Sequence, residues 1–304
     1  MKEVLLLNIL HYALGFPPYR SGGLTKFCID LMKQQRKEGH QVSLLWPGKM
    51  NLIGGKTAIK DKGYVNDIHS FEIINPLPIP YDEGISDIES FIRNVPESVY
   101  EPLLKKLSPD IIHLHTLMGI HKSFLLYAKK MNIKLVFTAH DFFPICPKVT
   151  MYRNGHVCND ILNCKECGNC NSTALSIKKI KLLQSPIYRI IKNTPVVREL
   201  RKNHRDKFLN DKKVEKETSS LGETNKNYLK LRENYKSMLE IVDCIHCNSS
   251  ITERIYQEIL QLKNLKVVSI THSSIADNRR IKQFFGHIRF AYLGPAGGAK
   301  GFFC

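Results

Sequence analysis

The sequence predicts an α/β fold, a Rossmann-like parallel sheet with helices on both faces. Three observations carry this expectation. Over the first ~140 residues, short β-rich runs alternate with segments of helical period. The same alternation returns near Asp243. The 304 residues, 43% hydrophobic and 24% charged, have the composition of a globular protein able to bury a sizeable core.

Taken in order, residues 4–10 read as the first strand. This opening run is short, holds an acid and lacks a small-residue cleavage site, so it does not read as a signal peptide. Residues 25–38 read as a helix, with Phe27, Leu31 and Met32 on one face and Gly39 as its stop. Residues 42–45 form a second strand, ended by Pro47, and residues 71–74 a weaker third before the turn-rich Asn75-Pro76-Leu77-Pro78-Ile79-Pro80. A helix is expected over 86–107, a strand over 111–115, a helix over 120–130 and a strand over 135–138. In such sheets ligands bind outside the carboxyl ends of the strands. That rule selects the loops after Leu10, His115 and Thr138.

From 142 to 172 the pattern breaks into a cysteine-rich loop. Residues 177–239 read as lysine-rich and mostly helical, with a break at Thr194-Pro195 and a polar, mobile link over 215–225. The α/β pattern resumes with a strand at 243–247, a helix at 249–262 capped by Asn248 or Ser249, and a strand at 267–270. A last strand at 289–293 leads into the Gly-rich turn Gly294-Pro295-Ala296-Gly297-Gly298-Ala299-Lys300-Gly301. A lone strand and turn cannot bury a core, so the chain is expected to stop inside a second domain that it does not complete.

The formal net charge of +17 suits an anionic partner, whether nucleic acid, an anionic membrane or a phosphorylated substrate, and equally suits a solvated basic face. No run approaches the ~18 apolar residues of a membrane span.

Four constellations carry chemistry. The first is Pro17-Pro18-Tyr19-Arg20-Ser21-Gly22-Gly23-Leu24, between the first strand and first helix. Gly22 and Gly23 at a helix start let backbone N–H groups approach a phosphate, though alone they also suit a plain tight turn. The second is Phe137-Thr138-Ala139-His140-Asp141. His140 follows a strand at the ligand edge, where imidazole can donate to a hydroxyl or take a proton; a structural histidine with Asp141 capping a turn is the plainer alternative. His113 and His115, two apart, point to one face, and His115 lies nearer the strand end.

The third is Cys146, Cys158, Cys164, Cys167 and Cys170, five of nine cysteines. Four of the five could hold a structural zinc tetrahedrally. An iron–sulfur cluster and disulfides are the alternatives. Cys244 and Cys247 read as buried small hydrophobes. The fourth spans 177–208, where Ile177, Ile180, Leu182, Leu183, Ile187, Tyr188, Ile190 and Ile191 interleave with Lys178, Lys179, Lys181, Arg189 and Lys192. It suits a helix lying on an anionic membrane, or a basic helix packed on its own sheet.

Together these segments resemble glycosyltransferase family 4, retaining enzymes of the GT-B fold. The resemblance rests on Ser21-Gly22-Gly23-Leu24 through Gly39-His40-Gln41-Val42, on Pro109-Asp110-Ile111-Ile112-His113-Leu114-His115, on Thr138-Ala139-His140-Asp141, on Cys146-Pro147 with the later cysteines, and on 243–249 and 289–301. It implies two Rossmann-like domains with a cleft between them. Residues 1–286 would be the acceptor-side domain, with insertions at 142–172 and 173–240, and 287–304 the start of a donor domain. It implies that a sugar passes from a nucleotide sugar to a glycan or lipid-linked acceptor, with retained configuration and no catalytic metal. The sequence has no D-x-D. By position, Gly22, Gly23 and Lys300 would meet the donor phosphates, His140 the transferred sugar, and His115 and Asp141 the acceptor side. The expected place is the cytoplasm, with peripheral contact at the inner face of the membrane. Two other readings stand: an inactive remnant or acceptor-binding module, and a zinc-dependent nucleic-acid binder, which the lack of a nucleic-acid motif disfavours.

Overall fold

The structure is a computed structural model and describes residues 5–17, 20–153, 156–158, 164–210, 221–270, 273 and 286. The strand expected at 289–293, the Gly-rich turn after it and Lys300 lie outside the described residues.

Strands β1 (Asn8–Tyr12), β2 (Gln41–Pro47), β3 (Ala58–Val65), β4 (Ile68–Ile74), β5 (Ile111–Leu114), β6 (Lys134–Ala139), β9 (Cys244–Cys247) and β10 (Leu265–Val267) form one sheet. Their order is β10-β9-β6-β5-β1-β2-β4-β3. Every pairing is parallel except that of the edge strand β3 with β4. The chain leaves β1 toward β2 and then returns to place β5 on the other side of β1. The sheet therefore has its topological switch point between β1 and β5, where open α/β sheets form a ligand crevice.

Side-chain alternation gives the sheet two unlike faces. Leu10, Tyr12, Ile112, Leu114, Leu135, Phe137, Ala139 and Ile245 enter the larger core. That core includes side chains of α2 (Ile88–Ile92), α3 (Glu101–Leu107), α4 (Lys122–Lys130), α9 (Leu221–Leu239) and α10 (Ser250–Leu260). The other face carries Val42, Leu44 and Ile68 under Cys28 and Met32 of α1 (Gly23–Lys37). Beside that patch the same face turns polar, with His11, His113 and Thr138 on adjacent strands and His115 and His140 just past their ends.

Several elements differ from expectation for clear reasons. The first strand starts at Asn8, because Leu5 and Leu6 are 75% and 65% exposed. The helix expected over 86–107 is broken into α2, a 3-10 turn at Glu97–Val99, and α3. Pro96 has no N–H to donate and disfavours helix at the residue before it. The third strand is longer, and β3 precedes it, joined by a two-residue turn with Asn66 and Asp67 at φ 51° and 61°. Two adjacent positive φ values match the tight turn that suits the right-handed twist of a hairpin. The strand expected at 267–270 is β10, shifted to Leu265–Val267.

The cysteine loop holds a small hairpin of β7 (Tyr152–Arg153) and β8 (His156–Val157) and one short turn, α5 (Cys167–Cys170). The basic segment folds as α6 (Ile177–Leu183), α7 (Pro186–Ile191) and α8 (Pro195–Asn210), with the break at Pro195 as expected. Of the polar link expected over 215–225, residues 221–225 are the first turn of α9, and 215–220 lie outside the described residues. Ser249 caps α10, its Oγ accepting from the Thr252 N–H at 3.2 Å.

Candidate active site

The site is built where β1, β5 and β6 end. After β1 the chain enters α1 through Gly22, which has φ 118° and ψ 179°, a conformation that a side-chain-bearing residue rarely adopts. No side chain caps α1, and its first turn holds no acid. A Cβ built on Gly22 or Gly23 would meet nothing within 4 Å. The start of α1 thus offers uncapped N–H groups and open space, and the helix dipole favours an anion there. By contrast Asp87 and Ser249 close the starts of α2 and α10.

His140 packs against α1. Phe27, one helical turn past Gly23, sets its ring edge-on to His140 with centroids 5.1 Å apart, and also touches His115 at 5.9 Å. His115 Nδ1 is 3.3 Å from His140 Nε2. The expected pair is therefore brought together under the first turns of α1. His113 stacks on His115 with centroids 4.2 Å apart and shares a hydrogen bond of 2.8 Å with the Thr138 hydroxyl.

Two residues of the cluster have no role in the sequence reading. His11 of β1 pairs in register with His113, stacks on His115 and bonds it, Nδ1 to Nε2, at 3.0 Å. His246 of β9 meets His113 edge-on at 5.9 Å. Nothing local marks either one. Strand register alone makes them neighbours, and a single sequence does not reveal parallel register.

Burial depresses the whole cluster. It lowers His11 and His140 to about 4, and His113 and His115 well below the ordinary histidine range, with mutual repulsion adding to the last two. These rings are neutral at pH 7. Asp141 accepts the Phe143 N–H at 2.9 Å and closes the turn after β6. Burial raises its carboxyl to about 6, and Tyr256 donates to its backbone carbonyl at 2.8 Å. The carboxyl thus holds the loop behind His140.

The five cysteines form no disulfide among the described residues. Cys146, Cys158, Cys164 and Cys167 line two small adjoining hollows with Arg232. Arg232 donates from Nε to the Ile145 carbonyl at 3.2 Å, while its buried Nη1 has no hydrogen-bond partner among the described residues. Cys170 is close enough to raise the Cys146 thiol, which burial raises more. Among the described residues, the sets whose ligand atoms all lie within 4.8 Å of one another are His11 with His113 and His115, and Cys28 with His115 and His140. Cys247 is fully buried and Cys244 partly so, as small hydrophobes.

Along α6–α8, Ile180 is buried, but Leu182, Ile187, Ile190, Val196 and Leu200 are 45–81% exposed. Burial and the nearby Arg201, Arg189 and Arg20 lower the Lys192 ammonium. No helix among the described residues is long and apolar enough to cross a membrane.

Comparison with known proteins adds three findings. No curated protein matches this chain. A solved structure, the catalytic domain of starch synthase IV from Arabidopsis thaliana bound to ADP and acarbose, aligns over 89% of this chain with 14% identity and a TM-score of 0.38. The alignment spans 52% of that chain, about half its length. A family model, Glycosyltransferase Family 4, matches residues 21–159, the stretch from the glycine turn through the histidine strand and His140 into the cysteine loop. Residues 21–159 are thus similar to glycosyltransferase family 4.

Proposed function

We propose that this chain is the acceptor-side part of a GT-B glycosyltransferase that moves a sugar from a nucleotide-sugar donor to a glycan or lipid-linked acceptor, with retention of configuration. One observation carries the reading. An uncapped, acid-free helix start at Gly22-Gly23 is linked through Phe27 to the neutral ring of His140, at the carboxyl ends of β1 and β6. The first suits a diphosphate and the second a sugar hydroxyl. In this reading Gly22 and Gly23 face the donor phosphates, His140 contacts the transferred sugar, and His115 and Asp141 lie on the acceptor side. Lys300, at the start of a donor domain from residue 287, neutralises the leaving diphosphate.

The cysteine insertion has a structural role in this proposal, binding one zinc through four of Cys146, Cys158, Cys164, Cys167 and Cys170. The buried Nη1 of half-buried Arg232, without a hydrogen-bond partner among the described residues, lies beside Cys146, Cys158, Cys164 and Cys167 and supports a thiolate set, because a buried cationic group needs compensating negative charge. Zinc would staple a loop that has little core of its own. The exposed apolar residues of α6–α8 stand among Lys178, Lys179, Arg198, Arg201 and Lys202, also exposed, which supports peripheral contact with an anionic membrane.

The test is titration of the 15N-labelled chain with UDP and GDP. Shifts concentrated at the Gly22 and Gly23 amides are expected. Amides that stay unmoved up to millimolar nucleotide would count against the donor-phosphate role.

A further inference from the structure

A line of hydrogen bonds runs from the far side of α1 to the mouth of the site. His140 Nε2 is 3.3 Å from His115 Nδ1, His115 Nε2 is 3.0 Å from His11 Nδ1, and His11 Nε2 is 2.7 Å from Gln35 Oε1. The three rings share four of their nitrogens between them, and His11 Nε2 meets the amide. His113, stacked on His115 and tied to Thr138, helps fix the middle ring without joining the line.

A neutral imidazole donates from one nitrogen and accepts at the other. With all three rings neutral, only two proton patterns satisfy every link, and the end group selects between them. Gln35 presents its carbonyl oxygen, which only accepts. His11 therefore carries its proton on Nε2 and accepts at Nδ1. His115 must donate from Nε2 into His11, and so accepts at Nδ1. His140 must donate from Nε2 into His115. Its own Nδ1 keeps a bare lone pair. Among the described residues nothing bonds that atom, and it is not one of the enclosed unpaired atoms.

We propose that Gln35 is a positioning residue that sets the tautomer of His140 through three hydrogen bonds, so that His140 meets its ligand as an acceptor at Nδ1. The site then selects a ligand group that donates, such as a sugar hydroxyl, over one that only accepts. The identity of that ligand rests on the glycosyltransferase reading, whereas the tautomer does not. Gln35 reaches the ligand only through His11, His115 and His140, and turning its amide over would reverse every proton in the line.

The experiment is a long-range 1H–15N correlation of 15N-histidine-labelled chain at about pH 7.5, where unperturbed histidine is also mostly neutral. His11, His115 and His140 should all appear as Nε2–H tautomers. Gln35→Glu, which can only accept, should keep the pattern. Gln35→Met, with no polar end, should leave His140 as a mixture of both tautomers. Finding His140 as the Nδ1–H tautomer in the unaltered chain would overturn the proposal. So would a Gln35→Met chain, folded by circular dichroism, in which His140 is unchanged. If Gln35→Met fails to fold, the unaltered chain and Gln35→Glu still decide. The expected tautomers in a chain that ignores nucleotides would support the line while sinking the transferase reading.

Discussion

Phe27 and His140 stand edge to face, 5.1 Å apart, and so fix the distance between the start of α1 and the end of β6. The ring ties the glycine turn to the histidine loop without any polar contact. In protein active in sugar transfer, His140→Ala should lower turnover about a hundredfold, the usual cost of removing one aimed polar group. The effect should fall on kcat more than on substrate binding, because such a group acts mainly in the transition state. Steady-state kinetics with matched circular dichroism spectra would check it. Normal turnover in that variant would make the histidine purely structural.

Acid should destabilise the chain before most carboxylates protonate. His11 and His140 titrate at about 4 in the fold, His121 at about 3, and His113 and His115 lower still than ordinary, against about 6.5 when unfolded. Below pH ~6.5 the unfolded chain takes up protons that the fold refuses. Stability present above that pH is therefore lost as pH falls toward 4. Each such histidine contributes a slope of up to about 1.4 kcal/mol per pH unit. Asp141 opposes them: its folded pKa of about 6 is raised, so its ionisation weakens the fold as pH rises from about 4 to 6. The histidines outnumber it. Urea midpoints should fall between about pH 7 and 5, and His11→Phe should flatten the slope. Midpoints that hold steady or rise over that range would contradict this.

Much of the candidate site is legible in the sequence, and the remainder has a physical reason to be hidden. Gly22, Gly23, His115 and His140 were identifiable because each sits at a strand end or a helix start, and ends are marked by local chemistry. His11 was not, since a histidine within Asn8–Tyr12 reads as one more core position. Only its register opposite His113 gives it a partner. Gln35 reads as an exposed polar residue of α1 for the same reason: its partner lies on a strand 24 positions earlier. The edge strand β3 escaped because Lys60, Asp61 and Lys62 spoil its alternation, and the helix over 86–107 was overdrawn across Pro96.

Protein purified under reducing conditions without chelator should carry about one zinc per chain, held tetrahedrally by four thiolates. Replacing Cys164, Cys167 and Cys170 together with Ser leaves too few thiols, so it should release the zinc and loosen the packing of Tyr228 and Tyr235, which line the same hollow as Cys164 and Cys167. Inductively coupled plasma mass spectrometry gives the count. Absence of zinc and iron, together with disulfides by peptide mapping, would replace the metal with covalent bridges.

The basic helices should bring the chain to anionic vesicles. With phosphatidylglycerol present, the chain should co-sediment with liposomes, and binding should weaken as salt rises. Ile190 is 81% exposed, so Ile190→Asp should cut binding without loss of folding. Each basic residue near the surface contributes about 1 kcal/mol, so Lys178→Glu with Lys179→Glu should also cut binding. Equal sedimentation with pure phosphatidylcholine would show that charge plays no part.

The outer strand β3 has a further consequence, for colloidal behaviour. A sheet edge offers unpaired N–H and C=O groups to any other strand, including that of a second copy. Here the edge is mostly exposed, charged at Lys60, Asp61 and Lys62, and interrupted by a register shift between Asp61 and Tyr64. At the opposite margin, β10 is only three residues long. One border is guarded by charge and irregularity, and the other, among the described residues, is too short to template much pairing. Chains crowded together should therefore find little purchase for strand-to-strand growth, and turbidity on concentration should rise sharply if Lys60, Asp61 and Lys62 are all replaced by valine.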